Sequence, residues 1–241
     1  MKIPRLSRIY ILFALLPAWG GASPFEANSG TDVGIAVEQV GVLAYPPSML
    51  YDGIYTGEVR AAISVDQDGV LSDCLIVSYT EKPFADAALA AIKRWRYQPA
   101  QVHGRPQSSR TEIIFTFRDQ GVIVQNLPGA QERQIVQGML QGRYSSYQAC
   151  QLRDLDRIPT PVHVVSPMFN GDSRKRSVTV GFYIDEEGKV RLPSVSRESA
   201  DDYLAAAAVK AVEQWRFEPP LRKGLPVLVY VEQEFNFTPK P

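Results

Sequence analysis

Apolar and polar side chains alternate along two stretches of this chain, with Val59, Ala61, Ile63 and Val65 in the first half and Val178, Val180, Phe182 and Ile184 in the second. A period of two turns one face of a strand toward a core, so each stretch predicts a half-buried β-strand. Asp66 to Gly69 and Asp185 to Gly188 break the pattern with turn residues, and glycine there supplies the left-handed backbone that closes a tight hairpin. Return strands follow over Val70 to Tyr79 and Val190 to Ser196.

The period then lengthens. Phe84, Ala88, Ala91, Ile92 and Trp95 recur at helical spacing, as do Leu204, Ala208, Ala211, Val212 and Trp215. Asp86, Asp201 and Asp202 fall early in these runs, where carboxylates favour the positive end of the helix dipole. Pro99 and Pro219 predict the helix stops, because proline lacks an amide donor and disfavours helix at the residue before it. A Gly-x-Pro turn in each half leads to a last strand, Arg110 to Phe117 or Val227 to Phe237. The prediction is an α+β fold of two tandem modules, each β-β-α-β, with a three-stranded antiparallel sheet covered by one helix.

The two halves are copies. VDQDG at Val65 to Gly69 matches IDEEG at Ile184 to Gly188, and AIKRWRYQPA from Ala91 matches AVEQWRFEPP from Ala211. Trp95 pairs with Trp215, Pro99 with Pro219, Gly104 with Gly224 and Phe117 with Phe237, so the architecture is a duplication. Residues 44–118 form the first expected module and 159–239 the second, each roughly 75 residues and of marginal stability alone. Residues 119–158 read as a linker with a short helix at Gln131 to Gln141.

At the N-terminus Lys2, Arg5 and Arg8 precede an apolar run from Ile9 to Leu16, and Gly20, Gly21 and Ala22 follow. That order predicts a secretory signal over residues 1–22, cleaved after Ala22, with an uncleaved inner-membrane anchor as the weaker alternative, since the apolar run is shorter than the roughly 20 residues of a spanning helix. The expected location is the periplasm. The chain has 26 basic and 26 acidic side chains; without the three basic ones of the signal, 23 face 26, a net charge of −3. Such a balance gives no attraction to nucleic acid. Cys74 and Cys150 both lie beyond the signal, and an oxidising compartment would allow them to bridge; without a bridge, Cys74 is a small strand residue and Cys150 a loop thiol.

Little in the sequence suggests a reaction. Asp66-x-Asp68-Gly69 opens like a calcium loop but lacks the distal ligands, so it reads as a turn. His103 and His163 do not combine with the cysteines at a zinc spacing. The chain has no nucleophile elbow, phosphate loop or dinucleotide glycine string. The expectation is therefore a protein that is not an enzyme, with no cofactor, no metal and no small-molecule substrate. Trp95 and Trp215 read as anchors packed on their own sheets, with Pro99 and Pro219 as structural stops.

Tyr45 and Pro46, the strand opening Gly57 to Val59, the Asp-x-x-Gly hairpin, the Ala-rich helix and Arg94 to Pro99 (RWRYQP) together resemble the C-terminal domain of TonB, the energy transducer of the Gram-negative periplasm. The second copy is looser, with Val165, Ser166 and Pro167 in place of the YP pair and Arg176 in place of Gly57. The resemblance implies a binding module that docks an extended segment of an outer-membrane receptor, or of another envelope protein, along the edge of its last strand. Carried over by position, the partner-binding residues are Tyr45, Pro46, Thr111, Ile113, Phe115 and Phe117, with Val229 and Val231 in the second copy. The alternative is a structural, self-associating envelope protein or homodimer whose sheet edges pair with each other.

Overall fold

The computed structural model describes residues 33–39, 43–102, 104–119, 121–127, 145–168, 176–195 and 202–237. The expected signal over 1–22, the expected helix at 131–141 and His103 lie outside them. The fold mixes α and β and is rich in strands. The first half runs β1 (Ala36–Gln39), α1 (Pro47–Tyr51), β2 (Thr56–Val65), β3 (Leu71–Tyr79), α2 (Lys82–Ile92), β4 (Arg96–Gln98), β5 (Ala100–Val102), β6 (Arg105–Gln107), β7 (Ser109–Arg118) and β8 (Gly121–Leu127). β9 (Tyr147–Gln148), β10 (Cys150–Gln151) and a 3₁₀ turn at Leu152–Asp154 follow. The second half holds β11 (Pro161–His163), β12 (Arg176–Ile184), β13 (Val190–Val195), α3 (Asp202–Val212), β14 (Arg216–Phe217), β15 (Leu221–Arg222), β16 (Leu225–Pro226) and β17 (Val229–Phe237).

Each half has the expected alternating strand at its centre. In β2, Val59, Ala61, Ile63 and Val65 are buried beneath α2 with Phe84, Ala88 and Ile92. In β12, Val178, Val180, Phe182 and Ile184 are buried with Leu204, Ala208 and Val212 of α3. The three-stranded prediction is too small. The sheets have the orders β8-β7-β2-β3-β9 and β10-β17-β12-β13, because residues 119–158, expected as linker, supply added strands to both. The stretch from Tyr147 to Gln151 pairs first with β3 and then with β17, giving each sheet an edge strand.

Both helices end before the prolines predicted to stop them. α2 ends at Ile92 and α3 at Val212, so Trp95 and Trp215 lie past the helices, and Pro99 and Pro219 follow the short strands β4 and β14. The backbone of those strands rests on the hairpins: a Cβ on Gly69 would come 2.5 Å from the Tyr97 carbonyl oxygen, and one on Gly188 would come 2.0 Å from that of Phe217. Both glycines also have positive φ, +80° and +81°, so the hairpin glycine serves turn and packing together. The repeated tryptophan phrase thus locks the helix exit onto the hairpin. Trp95 packs on Phe115 at 5.5 Å between ring centres and Trp215 on Phe235 at 5.5 Å. Asp86 is not in the first turn of α2; it pairs with Lys82 at 2.8 Å, one turn back.

The halves join through the faces that carry no helix. Ala62 and Val77 of the first sheet are buried with Tyr183 and Leu192 of the second and with Leu228, which precedes β17. Here a single-faced alternation hides a strand buried on both sides. A bulge in β13, where Leu192 takes φ +49°, turns Arg191 and Leu192 both toward the first half. Arg191 Nε donates to Asp73 Oδ2 at 2.8 Å, and its Nη1 lies 3.5 Å from Asp185 Oδ2. Arg110 lies 4.8 Å above the Tyr183 ring and donates to the Tyr183 hydroxyl at 3.1 Å, while that hydroxyl donates to Glu112 at 3.3 Å. Charges buried between sheets need such partners to offset their lost hydration.

Cys74 and Cys150 are free thiols, so of the two readings left open the unbridged one holds, with Cys150 on β10 and not in a loop. Cys74 packs against the first core and Cys150 lies inside the second, so the two cores separate them. Burial, with Asp73 beside it, holds the Cys74 thiol above its ordinary pKa.

Candidate partner-docking edges

An edge strand offers a row of main-chain donors and acceptors, which is how an extended chain can add to a sheet. In the first half the expected docking strand is β7. Its side chains Thr111, Ile113, Phe115 and Phe117 are all buried, the last three in the core under α2. Its main-chain edge is also taken. β8 runs antiparallel along it in an unbroken register from Glu112 opposite Leu127 to Arg118 opposite Gly121.

β8 sits there with alternate side chains engaged. Val122 and Val124 pack against the first core, whereas Ile123 is 44% exposed. The Thr111 hydroxyl donates to Asn126 Oδ1 at 2.7 Å, and Asn126 Nδ2 donates to the Ile35 carbonyl at 2.6 Å. Both amide atoms are thus used, one as acceptor and one as donor.

Tyr45 and Pro46 are half-buried, and Tyr45 serves the core. Its ring meets Phe84 at 5.3 Å and Phe117 at 6.5 Å, and its hydroxyl donates to the Ile54 carbonyl. Burial, with Asp119 nearby, raises the hydroxyl's pKa. These contacts fix α1, whose outer side leaves Tyr51 90% exposed beside exposed Leu50 and Tyr55. Sequence reasoning missed these residues; α1 is five residues long, too short for a periodic pattern to mark its outer face.

In the second half β17 pairs with β12 along its whole length. On its other side β10 covers Val229 and Tyr230, and among the described residues no further strand is paired there. Cys150 N–H donates to the Leu228 carbonyl at 2.8 Å, which identifies Leu228 as facing the outer side. Main-chain groups alternate along a strand, so those of Glu234 and Asn236 face the same way. The Gln233 side chain reaches the Glu234 carbonyl at 2.8 Å, as an outward carbonyl allows. Val229 is fully buried, Val231 and Phe235 pack on the core, and Glu234 and Asn236 are exposed on the opposite face.

Of the first-module residues expected to dock a partner, Tyr45, Ile113, Phe115 and Phe117 therefore converge on one core, while Val229 and Val231 belong to the other. Trp215 Nε1 donates to the Val165 carbonyl at 2.8 Å, which ties the YP-equivalent segment to the helix exit. His163 is exposed on β11, and among the described residues no three or more His, Cys, Asp or Glu side chains are grouped to hold a metal ion. No helix among them is long and apolar enough to cross a membrane. A family model described as Gram-negative bacterial TonB protein C-terminal matches residues 42–118 and 174–239, more than half of the chain. No curated protein matches it.

Proposed function

The chain belongs to the family of Gram-negative bacterial TonB protein C-terminal domains, carries two of them in tandem, and on that premise we propose that it captures extended peptide segments by adding them to a sheet edge. The family is a non-catalytic interaction domain associated with the envelope and with TonB-dependent transport. On our reading the chain is exported to the periplasm, is not an enzyme, and takes periplasm-facing segments of outer-membrane receptors or other envelope proteins. One observation carries the proposal: the last strand of the first module already accepts an extended segment, β8, along seven residue pairs. The corresponding edge of the second module has a strand partner only at Val229 and Tyr230 among the described residues. Capture is thus assigned to β17, around Glu234 to Asn236.

The test uses proline where the ladder permits it. Glu234→Pro removes an outward donor and leaves the bonds to β12, whereas Gln233→Pro removes an inward one and should damage the sheet. Residues 23–241 immobilised against envelope extract are expected to retain outer-membrane receptors, and the folded Glu234→Pro variant to lose them. Equal retention by both proteins would rule out capture at β17.

A further inference from the structure

The edge of β7 is filled by a segment held as a bound peptide would be held, and three observations bear on that. The register between β7 and β8 is continuous over seven pairs, in contrast to the two pairs that β9 and β10 each make. Alternate side chains of β8 are read by the first module: Val122 and Val124 rest on its core and Asn126 is held at both amide atoms. Finally, pairing of Arg118 with Gly121 leaves only two positions of the chain between the paired strands. A tether that short gives β8 an effective concentration in the millimolar range or above.

We propose that residues 121–127 are a tethered ligand of the first module's docking edge, which they close to other chains, and that they display the chemistry this edge selects. The segment admitted is extended and antiparallel, with small branched apolar side chains at two alternate positions and a carboxamide at the next. Valine-sized groups suit the contacts because Phe115 and Phe117 already fill the core beneath. The carboxamide is specified because Thr111 donates to it and the Ile35 carbonyl accepts from it; a carboxylate has no hydrogen to give Ile35. The proposal rests on edge capture as the working mode of the fold, but it concerns β7 and not β17.

The experiment opens the edge and offers the segment back. In full-length mature chain, Val122→Asp with Val124→Asp strips β8 from the core without altering β7. The probe is a labelled synthetic peptide of sequence GVIVQNL, followed by fluorescence anisotropy. Wild-type protein is expected to show a Kd beyond about 1 mM, because the tether outcompetes free peptide. The double variant should bind at least tenfold more tightly, and a peptide with Asp at the Asn126 position should lose about tenfold. Should the variant lose structure, the peptide is expected to restore its circular dichroism. Equal binding to wild-type and variant, or a variant that neither binds nor is restored, overturns the proposal. Because Glu234→Pro probes the other edge, failure here leaves capture at β17 standing, and failure there leaves this proposal standing.

Discussion

Replacing Gly57 with Ala tests whether a close contact or the backbone decides stability at the start of β2. Gly57 does not have positive φ, so alanine fits its backbone, and in a strand alanine is worth about 0.5 to 1 kcal/mol over glycine. On that ground alone the substitution would stabilise. The new Cβ, however, would come 2.2 Å from Phe84 Cε2 and 2.3 Å from Cδ2. Phe84 is fully buried, 4.8 Å from the Phe117 ring and 5.3 Å from Tyr45, so the ring has little room to retreat. Overpacking of this kind costs about 1 to 3 kcal/mol, which outweighs the backbone gain. The second half carries Leu204 at the position of Phe84 and Arg176 at that of Gly57, so the ring and the glycine go together. Phe84→Leu alone should cost about 1 to 2 kcal/mol through lost burial. The double variant should then be about 1 to 3 kcal/mol more stable than the sum of the single effects. Urea unfolding of residues 23–241 followed by circular dichroism measures all four proteins. A Gly57→Ala variant as stable as wild type, with strictly additive effects in the double variant, would refute the contact argument.

Three further outcomes are expected. Gly181→Ala would place a Cβ 2.1 Å from the Tyr230 hydroxyl at the seam between modules; it should cost about 1 to 3 kcal/mol, partly recovered by Tyr230→Phe in the same chain, in urea unfolding. Asp156 accepts main-chain N–H bonds from Lys223 at 2.7 Å and Gly224 at 2.8 Å, which lower its carboxyl below the ordinary 3.8. A depressed folded pKa contributes stability present above 3.8 and lost as the pH falls through the folded value, so Asp156→Asn should flatten the acid side of a plot of urea midpoint against pH. Both thiols are free and at least partly buried, so a thiol reagent should label them slowly in native protein and fully in denaturant, with no change on prior reduction.

The strands, the hairpins and the duplication were legible in the chain because each has a local cause. Alternation marks a face, a glycine after Asp marks a tight turn, and one phrase repeated marks one packing problem met twice. Helix ends were read too far along, since Trp95 and Trp215 continue the helical spacing while the backbone has already turned into β4 and β14. The outer edge of β7 was read as open, whereas β8 pairs along it. β8 has the composition of a strand, GVIVQNL, yet nothing local says which edge such a segment will join.

By itself the sequence determined two α+β units, the cores beneath α2 and α3, and the family they belong to, all from patterns spanning a few residues to one module. Tertiary structure alone decided that the helix-free faces meet, that Arg110 and Arg191 are matched across that seam, that the cysteines stay apart, and that β8 pairs along the outer edge of β7. The physical reason is the reach of the interactions. Propensity and periodicity act along the chain, whereas partners such as Asp73 and Arg191 are brought together only by packing two sheets, and an edge is open or closed according to what else the chain lays beside it.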